Sequence, residues 1–286
     1  MNAPAGVLAV GAFDGIHAGH LAVIRAALEI SPDAGVACFE PLPRQYFSSP
    51  DNSLRLTTPA ERSRILARSG VRTVTAFPFD DATRDAGPDE FLEMLRGLRP
   101  FAHLVVGYDF HFGRGRSGSV AMLGDWCAER SLGLTVVDAT RLDGDPVKSE
   151  TVRCLLRSGY LERASRMLTR RYSASGPVAR GRGEGRRLGF PTLNAAVPRA
   201  KLLPPPGSYA VSVRTGGLSM PAAAFIPEGR PGLVEAHIPG WSGDLYGAVV
   251  EIEFVEMLRR PEKLTKDELM RRIEGDVERT MEVMKE

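Results

Sequence analysis

Hydrophobic and polar positions follow different patterns in the two halves of this chain. Up to about residue 159, short apolar or β-branched runs alternate with segments in which apolar residues recur at helical spacing. This alternation is typical of βαβ units, which build a parallel sheet covered by helices. The runs predicted to be strands are residues 8–13, 36–40, 72–77, 104–109 and 134–139.

The clearest helix prediction lies between the second and third of these strands. Thr58 offers a capping hydroxyl, Pro59 suits the first helical position, and Glu61 completes a capping box. Gly70 supplies the end of the helix. Two more helices are predicted, around residues 152–157 and 162–169, and they carry the chain out of the sheet.

From Tyr172 onwards, loops rich in glycine and proline separate alternating runs such as residues 209–213 and 245–254, as in an antiparallel barrel. Residues 265–284 then predict one amphipathic helix packed on the barrel, with apolar residues at four-residue spacing: Leu269, Ile273, Val277 and Met281. We therefore predict two domains. They are an α/β domain with a doubly wound parallel sheet over residues 1–160, and a small antiparallel β-barrel with a C-terminal helix over residues 171–286.

Composition limits the classes of function. With 286 residues, 43% of them hydrophobic, and a net charge of +2, the chain is typical of a soluble globular protein that has no bulk charge to attract nucleic acid or a membrane surface. No apolar run reaches the roughly 18 residues of a spanning helix, and the N-terminus lacks the pattern of a signal peptide, so we expect a cytoplasmic protein. Cys38, Cys127 and Cys154 are expected to be buried structural thiols. The sequence is compatible with an oligomer.

The first predicted strand leads into residues 11–20, which read GAFDGIHAGH, before a helical pattern begins. His17 and His20 thus lie at a helix N-terminus, where backbone N–H groups and the helix dipole favour a triphosphate. Taken alone, two histidines three residues apart are more often a cap and a packing residue, or two metal ligands. Their place after the first strand favours nucleotide binding, because open α/β sheets bind ligands at the carboxyl ends of their strands.

This string is similar to the HxGH signature of the nucleotidyltransferase superfamily, and its FDG resembles that of the bifunctional prokaryotic FAD synthetases. Three more segments agree with that family in order and spacing. Residues 39–44 (FEPLPR) are similar to its FEPHPR run, with Leu42 in place of histidine, and residues 106–113 (VGYDFHFG) resemble its VGxDFxFG motif. Residues 148–153 (KSETVR) stand where the family has SSTxIR, with Glu150 in place of a hydroxyl residue.

The resemblance implies a domain of the HxGH nucleotidyltransferase type that adenylylates FMN with ATP. It implies catalytic roles for His17 and His20 and flavin contacts for Asp109 and Phe110, although these last two residues alone would equally suit a helix cap and a core aromatic. Glu150 would repel a triphosphate unless Lys148, Mg²⁺ or a rotamer turned away compensates for its charge. The nucleotide-binding residues implied are Gly11, Phe13, Asp14, Gly15, Ser149 and Arg153.

The second domain opens with residues 181–194, which read GRGEGRRLGFPTLN. Its glycines expose backbone N–H groups that can cradle phosphates, although such a stretch alone is more often a flexible surface loop. Thr192 and Asn194 are two residues apart on an extended segment, so they point to the same side and can share a Mg²⁺ ion or a phosphate. The run closely resembles riboflavin kinases, in which the matching threonine and asparagine bind Mg·ATP. The nucleotide-binding glycines implied are Gly181, Gly183, Gly185 and Gly189.

Two later segments, residues 234–237 (VEAH) and 243–247 (GDLYG), are similar to the VExH and GDLYG pair of the kinases. The resemblance puts the catalytic base on Glu235, which by itself would suggest an exposed strand residue. His237, on the same strand face, is expected to be structural. Residues 225–231 and 258–264 depart from the family's NIGxRPT and LRxExxF runs, and Arg259 in the second is a candidate flavin-binding residue.

These motifs together imply flavin cofactor biosynthesis. The expected reactions are ATP-dependent phosphorylation of riboflavin to FMN and adenylylation of FMN to FAD with release of pyrophosphate, with Mg²⁺ as the metal and small molecules as the partners. The alternatives are an enzyme with one of these activities, or a flavin- or nucleotide-binding regulator without turnover. Another HxGH enzyme, such as a cytidylyltransferase, is disfavoured because the PTxN and VExH motifs have no use in its chemistry.

Overall fold

The computed structural model describes residues 6–48, 54–181 and 183–285, and of Glu184 it describes only the backbone. Arg182, in the predicted glycine loop, lies outside the described residues. Contacts within the chain divide it into two compact units, Met1–Ser149 and Glu150–Glu286. The sequence predicts the domain boundary between residues 160 and 171. The contacts instead divide the chain after Ser149, so the helices Ser149–Arg157 and Leu161–Leu168, apart from Ser149 itself, fall in the second unit with the barrel.

The first unit alternates strands and helices as predicted. A 3₁₀ turn at Arg114–Arg116 precedes its last long helix. Its elements are β1 (Gly6–Gly11), α1 (Ala18–Ile30), β2 (Gly35–Glu40), α2 (Pro43–Phe47), α3 (Pro59–Arg68), β3 (Thr73–Pro78), α4 (Asp81–Asp85), α5 (Pro88–Leu98), β4 (Phe101–Gly107), α6 (Val120–Glu129), β5 (Gly133–Val137), β6 (Arg141–Leu142) and β7 (Asp145–Pro146).

The predicted α/β fold is confirmed: strands β1 to β5 form one parallel sheet in the order β3-β2-β1-β4-β5. Both faces of β1 are covered, because Leu8 and Val10 lie in one hydrophobic cluster and Val7 and Ala9 in another. Burial on both faces is why parallel strands read as continuous apolar runs. The chain order reverses between β1 and β4, which pair through Leu8 and Leu104 among others. The loops that follow these two strands therefore meet at one edge, where such sheets bind ligands.

The predicted capping box is present at the start of α3. The Thr58 hydroxyl accepts from the Glu61 N–H at 3.2 Å, and the Glu61 carboxylate accepts from the Thr58 N–H at 2.9 Å. The predicted end of the first strand is wrong by two residues. Phe13 has φ = +47°, which no strand residue can adopt, so β1 ends at Gly11.

The second unit contains helices, a barrel and a closing helix. Helix α7 begins on the last residue of the first unit. The elements are α7 (Ser149–Arg157), α8 (Leu161–Leu168), β8 (Ser173–Ala179), α9 (Glu184–Arg187), β9 (Thr192–Ala196), β10 (Gly207–Thr215), β11 (Leu218–Ile226), β12 (Leu233–His237), β13 (Val249–Arg259) and α10 (Lys266–Val283).

The predicted barrel is also confirmed. Its six antiparallel strands close in the order β10-β11-β12-β9-β8-β13, and α8 and α10 pack against it. The strand predicted at residues 245–254 begins only at Val249. The preceding residues form a turn, in which the Asp244 carboxylate accepts from the Tyr246 N–H at 2.8 Å and Gly247 has φ = +77°.

Helix α10 packs on β10, β11 and β13 as expected. Leu269, Ile273 and Val277 are half-buried, but Met281 is 38% exposed, and Thr280 and Val283 are the buried residues of the last turns. A four-residue spacing rotates slowly around a helix of 3.6 residues per turn, so Met281 has turned by about 120° relative to Leu269.

The cysteines meet the expectation only in part. Cys38 and Cys127 are buried, and burial raises the pKa of both thiols. Cys154 is exposed, because α7 buries the face that carries Val152 and Leu156 instead. Within residues 6–48, 54–181 and 183–285, no helix is both long and apolar enough to cross a membrane.

Candidate nucleotide and flavin sites

The two histidines of the first unit meet at the start of α1. His17 is the N-cap residue, and its Nδ1 accepts from the His20 N–H at 3.3 Å. The two rings stack with centroids 3.7 Å apart, and the Phe13 ring lies edge-on to His20. The Nδ1 atom of His17 is thus occupied as a hydrogen-bond acceptor at the helix start.

The loop between β1 and α1, residues 12–17, has an unusual backbone. Phe13, Gly15 and Ile16 have φ values of +47°, +85° and +42°. Such values cost roughly 1–3 kcal/mol for a residue other than glycine and persist only where the surroundings hold them. A Cβ on Gly15 would lie 2.7 Å from Leu56 Cδ1, and one on Gly11 would lie 3.3 Å from the Phe13 ring. The two glycines therefore allow the loop to pack closely.

Asp14 holds this loop to the segment before α3. Its carboxylate is 3% exposed and accepts from the backbone N–H groups of Leu56 at 2.9 Å and Thr57 at 3.0 Å. The Gly15 N–H donates to the Thr57 hydroxyl at 3.1 Å. The structure thus gives the Asp14 carboxylate partners within the protein. The nucleotide-binding role of Asp14 and Gly15 stays a prediction.

Other predicted residues of this unit lie close to the same loop or after β4. The Ser149 hydroxyl donates to the Asp14 carbonyl at 2.8 Å. Asp109 follows β4 with its side chain half-exposed, 3.5 Å from the Lys148 Nζ. Phe110 is partly buried against the core and stacks on Phe112, so its ring contributes to packing.

Arg153 belongs to the second unit, on α7. Its side chain is buried, and its guanidinium donates to the Glu150 carboxylate at 3.2 Å. The residue that departs from the family pattern is therefore turned towards an arginine. The sequence suggested Lys148, Mg²⁺ or a turned rotamer as compensation for Glu150, and the structure provides Arg153 as a partner.

A cluster that the sequence did not suggest lies at the end of β2. The Glu40 carboxylate accepts from Arg55 Nη1 and Nη2, each at 2.9 Å, and from Arg62 Nη2 at 2.7 Å. Burial alone would raise the pKa of Glu40, but the hydrogen bonds and charges of Arg55 and Arg62 outweigh it and hold that pKa below its usual value. The partners are 15 and 22 residues away in sequence. No local pattern signals such a contact.

In the second unit, strands β9 and β12 bring together three predicted site residues. Their antiparallel register pairs Asn194 with Glu235 and Thr192 with His237. Residues paired in this way have Cβ atoms about 4.5–5.5 Å apart and share a sheet face. Thr192, Asn194 and Glu235 are therefore neighbours.

The glycine loop packs directly on this pair of strands. A Cβ on Gly181 would lie 2.2 Å from Asn194 Nδ2, and one on Gly185 would lie 3.1 Å from Thr192 Oγ1 and 2.4 Å from the Phe190 carbonyl oxygen. Gly183 and Gly189 have φ values of +71° and +88°. The described part of the loop contains the short helix α9.

A cleft of about 440 Å³ opens beside Thr192. It is large enough for a small ligand. Arg186 of the glycine loop lines it, together with Trp241, Asp244 and Tyr246. We call it the barrel cleft. The GDLYG motif at residues 243–247 indicated this part of the chain, but Trp241, two residues before the motif, was not predicted to line a site.

Further contacts surround the remaining predicted residues. Arg230 Nη1 donates to the Glu235 carboxylate at 3.3 Å. The His237 ring nitrogen Nδ1 is 2.8 Å from the Pro191 carbonyl oxygen, as a structural histidine would be. Arg259, the candidate flavin residue, is paired with Asp276 of α10 through Nε at 3.0 Å and Nη2 at 2.9 Å. This pair ties β13 to α10, and the flavin role of Arg259 stays a prediction.

Comparison with known proteins agrees with this division into two sites. A family model described as FAD synthetase matches residues 1–151, and one described as riboflavin kinase matches residues 168–284. A bifunctional riboflavin kinase/FMN adenylyltransferase of Haemophilus influenzae is 33% identical over 95% of this chain and 92% of its own length. The protein of the same description from Pseudomonas fluorescens is 32% identical over 93% of this chain and 88% of its own.

A parallel sheet with paired histidines at the start of α1, followed by a barrel with a glycine loop, matches the two family models in turn. The chain belongs to the family of bifunctional riboflavin kinase/FMN adenylyltransferases, enzymes of flavin cofactor biosynthesis. A crystal structure described as a macrolide-efflux protein from Streptococcus pneumoniae has a TM-score of 0.87 and 24% identity, and covers 98% of this chain and 95% of its own. At that identity the likeness concerns the fold alone.

Proposed function

We propose that this chain performs both reactions of its family: the second unit phosphorylates riboflavin with ATP to give FMN, and the first transfers AMP from ATP to FMN to give FAD. The observation that carries the proposal is that the two matched families fall almost entirely on different units, with His17 and His20 on the first and Thr192, Asn194 and Glu235 on the second. Riboflavin, FMN and ATP are then the substrates, and FMN, FAD, ADP and pyrophosphate are the products.

In the kinase step, the 5′-hydroxyl oxygen of riboflavin attacks the γ-phosphorus of ATP. The bond between that phosphorus and the β–γ bridging oxygen breaks, and ADP leaves. Glu235 takes the hydroxyl proton, with Asn194 directly opposite it on the neighbouring strand. Backbone N–H groups of Gly181, Gly183, Gly185 and Gly189 contact the phosphates, and Arg186 adds positive charge in the barrel cleft.

Mg²⁺ is part of this proposal. It takes hard oxygen ligands and commonly keeps only one or two protein ligands beside substrate phosphates. The hydroxyl of Thr192 and the amide oxygen of Asn194 fit that demand. Across residues 6–48, 54–181 and 183–285, no group of three or more histidine, cysteine or acidic side chains is placed to hold a metal ion. When bound with ATP, Mg²⁺ would neutralise phosphate charge.

In the adenylyl step, a phosphate oxygen of FMN attacks the α-phosphorus of ATP, the bond to the α–β bridging oxygen breaks, and pyrophosphate leaves. The attacking oxygen is already an anion, so no base is required. Negative charge builds on the oxygens around phosphorus, and His17 and His20 meet it at the N-terminus of α1. Asp109 and Phe110 are proposed to contact the flavin, and Gly11, Phe13, Gly15, Ser149 and Arg153 to contact the nucleotide.

The test is a time course with purified protein, riboflavin, ATP and Mg²⁺, in which the flavins are separated by chromatography. We expect FMN to appear first and FAD to follow. FMN as the final product would leave only the kinase activity, and FAD formed only when FMN is supplied would leave only the adenylyltransferase. If flavins bind but neither product forms, the chain is a binding protein.

A further inference from the structure

Two buried arginines converge on one carboxylate at the end of β2. Arg55 is 5% exposed and Arg62 is 3% exposed, and both donate to Glu40 at 2.7–2.9 Å. Buried charges are costly unless they are paired and hydrogen-bonded. We call Glu40, Arg55 and Arg62 the Glu40 cluster. Its hydrogen bonds hold these side chains in one fixed geometry at this edge of the sheet.

Each arginine also donates to the backbone, Arg62 at the start of the β1–α1 loop and Arg55 in the segment before α3. Arg62 Nη1 donates to the Ala12 carbonyl at 3.2 Å, immediately after β1. Arg55 Nε donates to the Thr57 carbonyl. The Glu40 cluster therefore fixes the start of the loop and also the segment that holds the loop.

Thr57 passes this constraint on. Its hydroxyl donates to the Asp14 carboxylate at 3.2 Å and accepts from the Gly15 N–H at 3.1 Å. Its backbone N–H donates to the same carboxylate at 3.0 Å. Two further residues of this loop, Phe13 and Ile16, have positive φ values that need such support.

The loop ends at His17, whose N-cap bond and stacking place the ring of His20. We propose that Glu40 is a positioning residue for adenylyl transfer: through Arg55, Arg62 and Thr57 it holds the β1–α1 loop in the conformation that presents the two histidines. This inference rests on the proposed role of the histidines, and Glu40 itself touches no reacting atom.

The test compares Glu40→Gln with Glu40→Asp and with Glu93→Gln. Glu93 lies on α5 and makes an ion pair with Arg130 on the surface, so its variant is the matched control. FAD formation from FMN and ATP is measured as kcat and KM, riboflavin phosphorylation by the same preparations reports the integrity of the second unit, and circular dichroism reports whether the first unit is folded. We expect Glu40→Gln to lower kcat for FAD formation about 10- to 100-fold, because misplacing a catalytic group by about 1 Å can cost about 10²-fold.

Riboflavin phosphorylation should stay normal in every variant. Glu40→Asp keeps the charge and should recover part of the lost kcat, and Glu93→Gln should behave like the unmodified chain. Normal FAD turnover by Glu40→Gln would overturn the inference alone. If the unmodified chain made no FAD, the proposed function and this inference would both fail.

A second variant covers the case in which Glu40→Gln does not fold. Thr57→Val keeps the shape of the side chain and removes the hydroxyl that links Asp14 to Gly15, while the Glu40 cluster stays intact. It should also lower kcat for FAD formation. Where both variants fold, their double variant should be no slower than the slower single one, since the two changes interrupt the same chain of contacts. Full additivity, or a normal rate for Thr57→Val, would contradict the proposal.

Discussion

His17 and His20 make different contacts at the start of α1. His17 caps the helix through Nδ1, so its ring orientation is fixed by the backbone, while the His20 ring lies between His17 and Phe13. A replacement at His20 therefore removes a side chain without removing the helix cap.

We expect His20→Ala to lower FMN adenylylation by roughly 10² to 10³, the usual cost of losing a donor to the transition state. Riboflavin phosphorylation should be unchanged, because its candidate residues lie on the other unit. His17→Asn is the informative companion, since asparagine is a good N-cap residue and keeps the helix start while removing the imidazole. Equal loss of both activities with intact circular dichroism would contradict the assignment of one site to each unit.

Variants of Glu235 and of its neighbours on β9 distinguish base catalysis from nucleotide binding. Glu235→Gln should lower riboflavin phosphorylation by roughly 10² to 10⁴ and leave Mg·ATP affinity nearly unchanged, because glutamine keeps the shape but takes no proton. Thr192→Ala and Asn194→Ala should weaken Mg·ATP binding as well. Calorimetry gives the affinities and flavin chromatography gives the rates, with Glu278→Gln on the exposed face of α10 as the control. Near-normal turnover by Glu235→Gln would make Glu235 only a strand residue.

At the scale of elements, the sequence predicted those helix starts and strands that are determined by interactions between neighbouring residues. The cap at Thr58 and the alternation along β13 are examples. The end of β1 was misplaced because the positive φ of Phe13 belongs to a loop that Asp14 ties to Leu56, 42 residues away in sequence. The start of β13 was misplaced although the turn before it is local, since the Asp244 carboxylate accepts from the Tyr246 N–H only two residues later. The Glu40 cluster was missed because its arginines are 15 and 22 residues away in sequence. Thr192, Asn194 and Glu235 stand in short, specific motifs and are neighbours across β9 and β12, and their roles stay predictions.

Substitutions near the end of α10 test which residues its last turns bury, since apolar residues at four-residue spacing rotate around the helix. Val283→Ala should destabilise the second unit by about 1–2 kcal/mol, since it removes buried methyl groups. Met281→Ala should destabilise the unit less than Val283→Ala does, because Met281 is 38% exposed and Val283 only 7%. Urea unfolding of both variants measures the difference. A larger effect at Met281 would mean that the four-residue pattern, and not the helix geometry, sets the buried face.

At the scale of the whole molecule, the boundary between the units can be tested by truncation. Helix α8 packs on β13, and Leu161, Ala164, Met167 and Leu168 are almost fully buried. A fragment of residues 150–286 should fold and phosphorylate riboflavin. A fragment of residues 171–286 exposes the surface under α8 and should be less stable by at least about 3 kcal/mol in urea. Equal stability of the two fragments would place the boundary between residues 160 and 171.

The chain has two tryptophans, and each unit contains one of them. Trp126 lies in the hydrophobic core of the parallel sheet, and Trp241 lines the barrel cleft. Indole emission depends on the immediate surroundings of the ring, so replacing either tryptophan by phenylalanine leaves a chain whose fluorescence reports on one unit. The protein thus carries a natural optical label on each of its two units, one sensitive to the integrity of the sheet and the other to what occupies the barrel cleft.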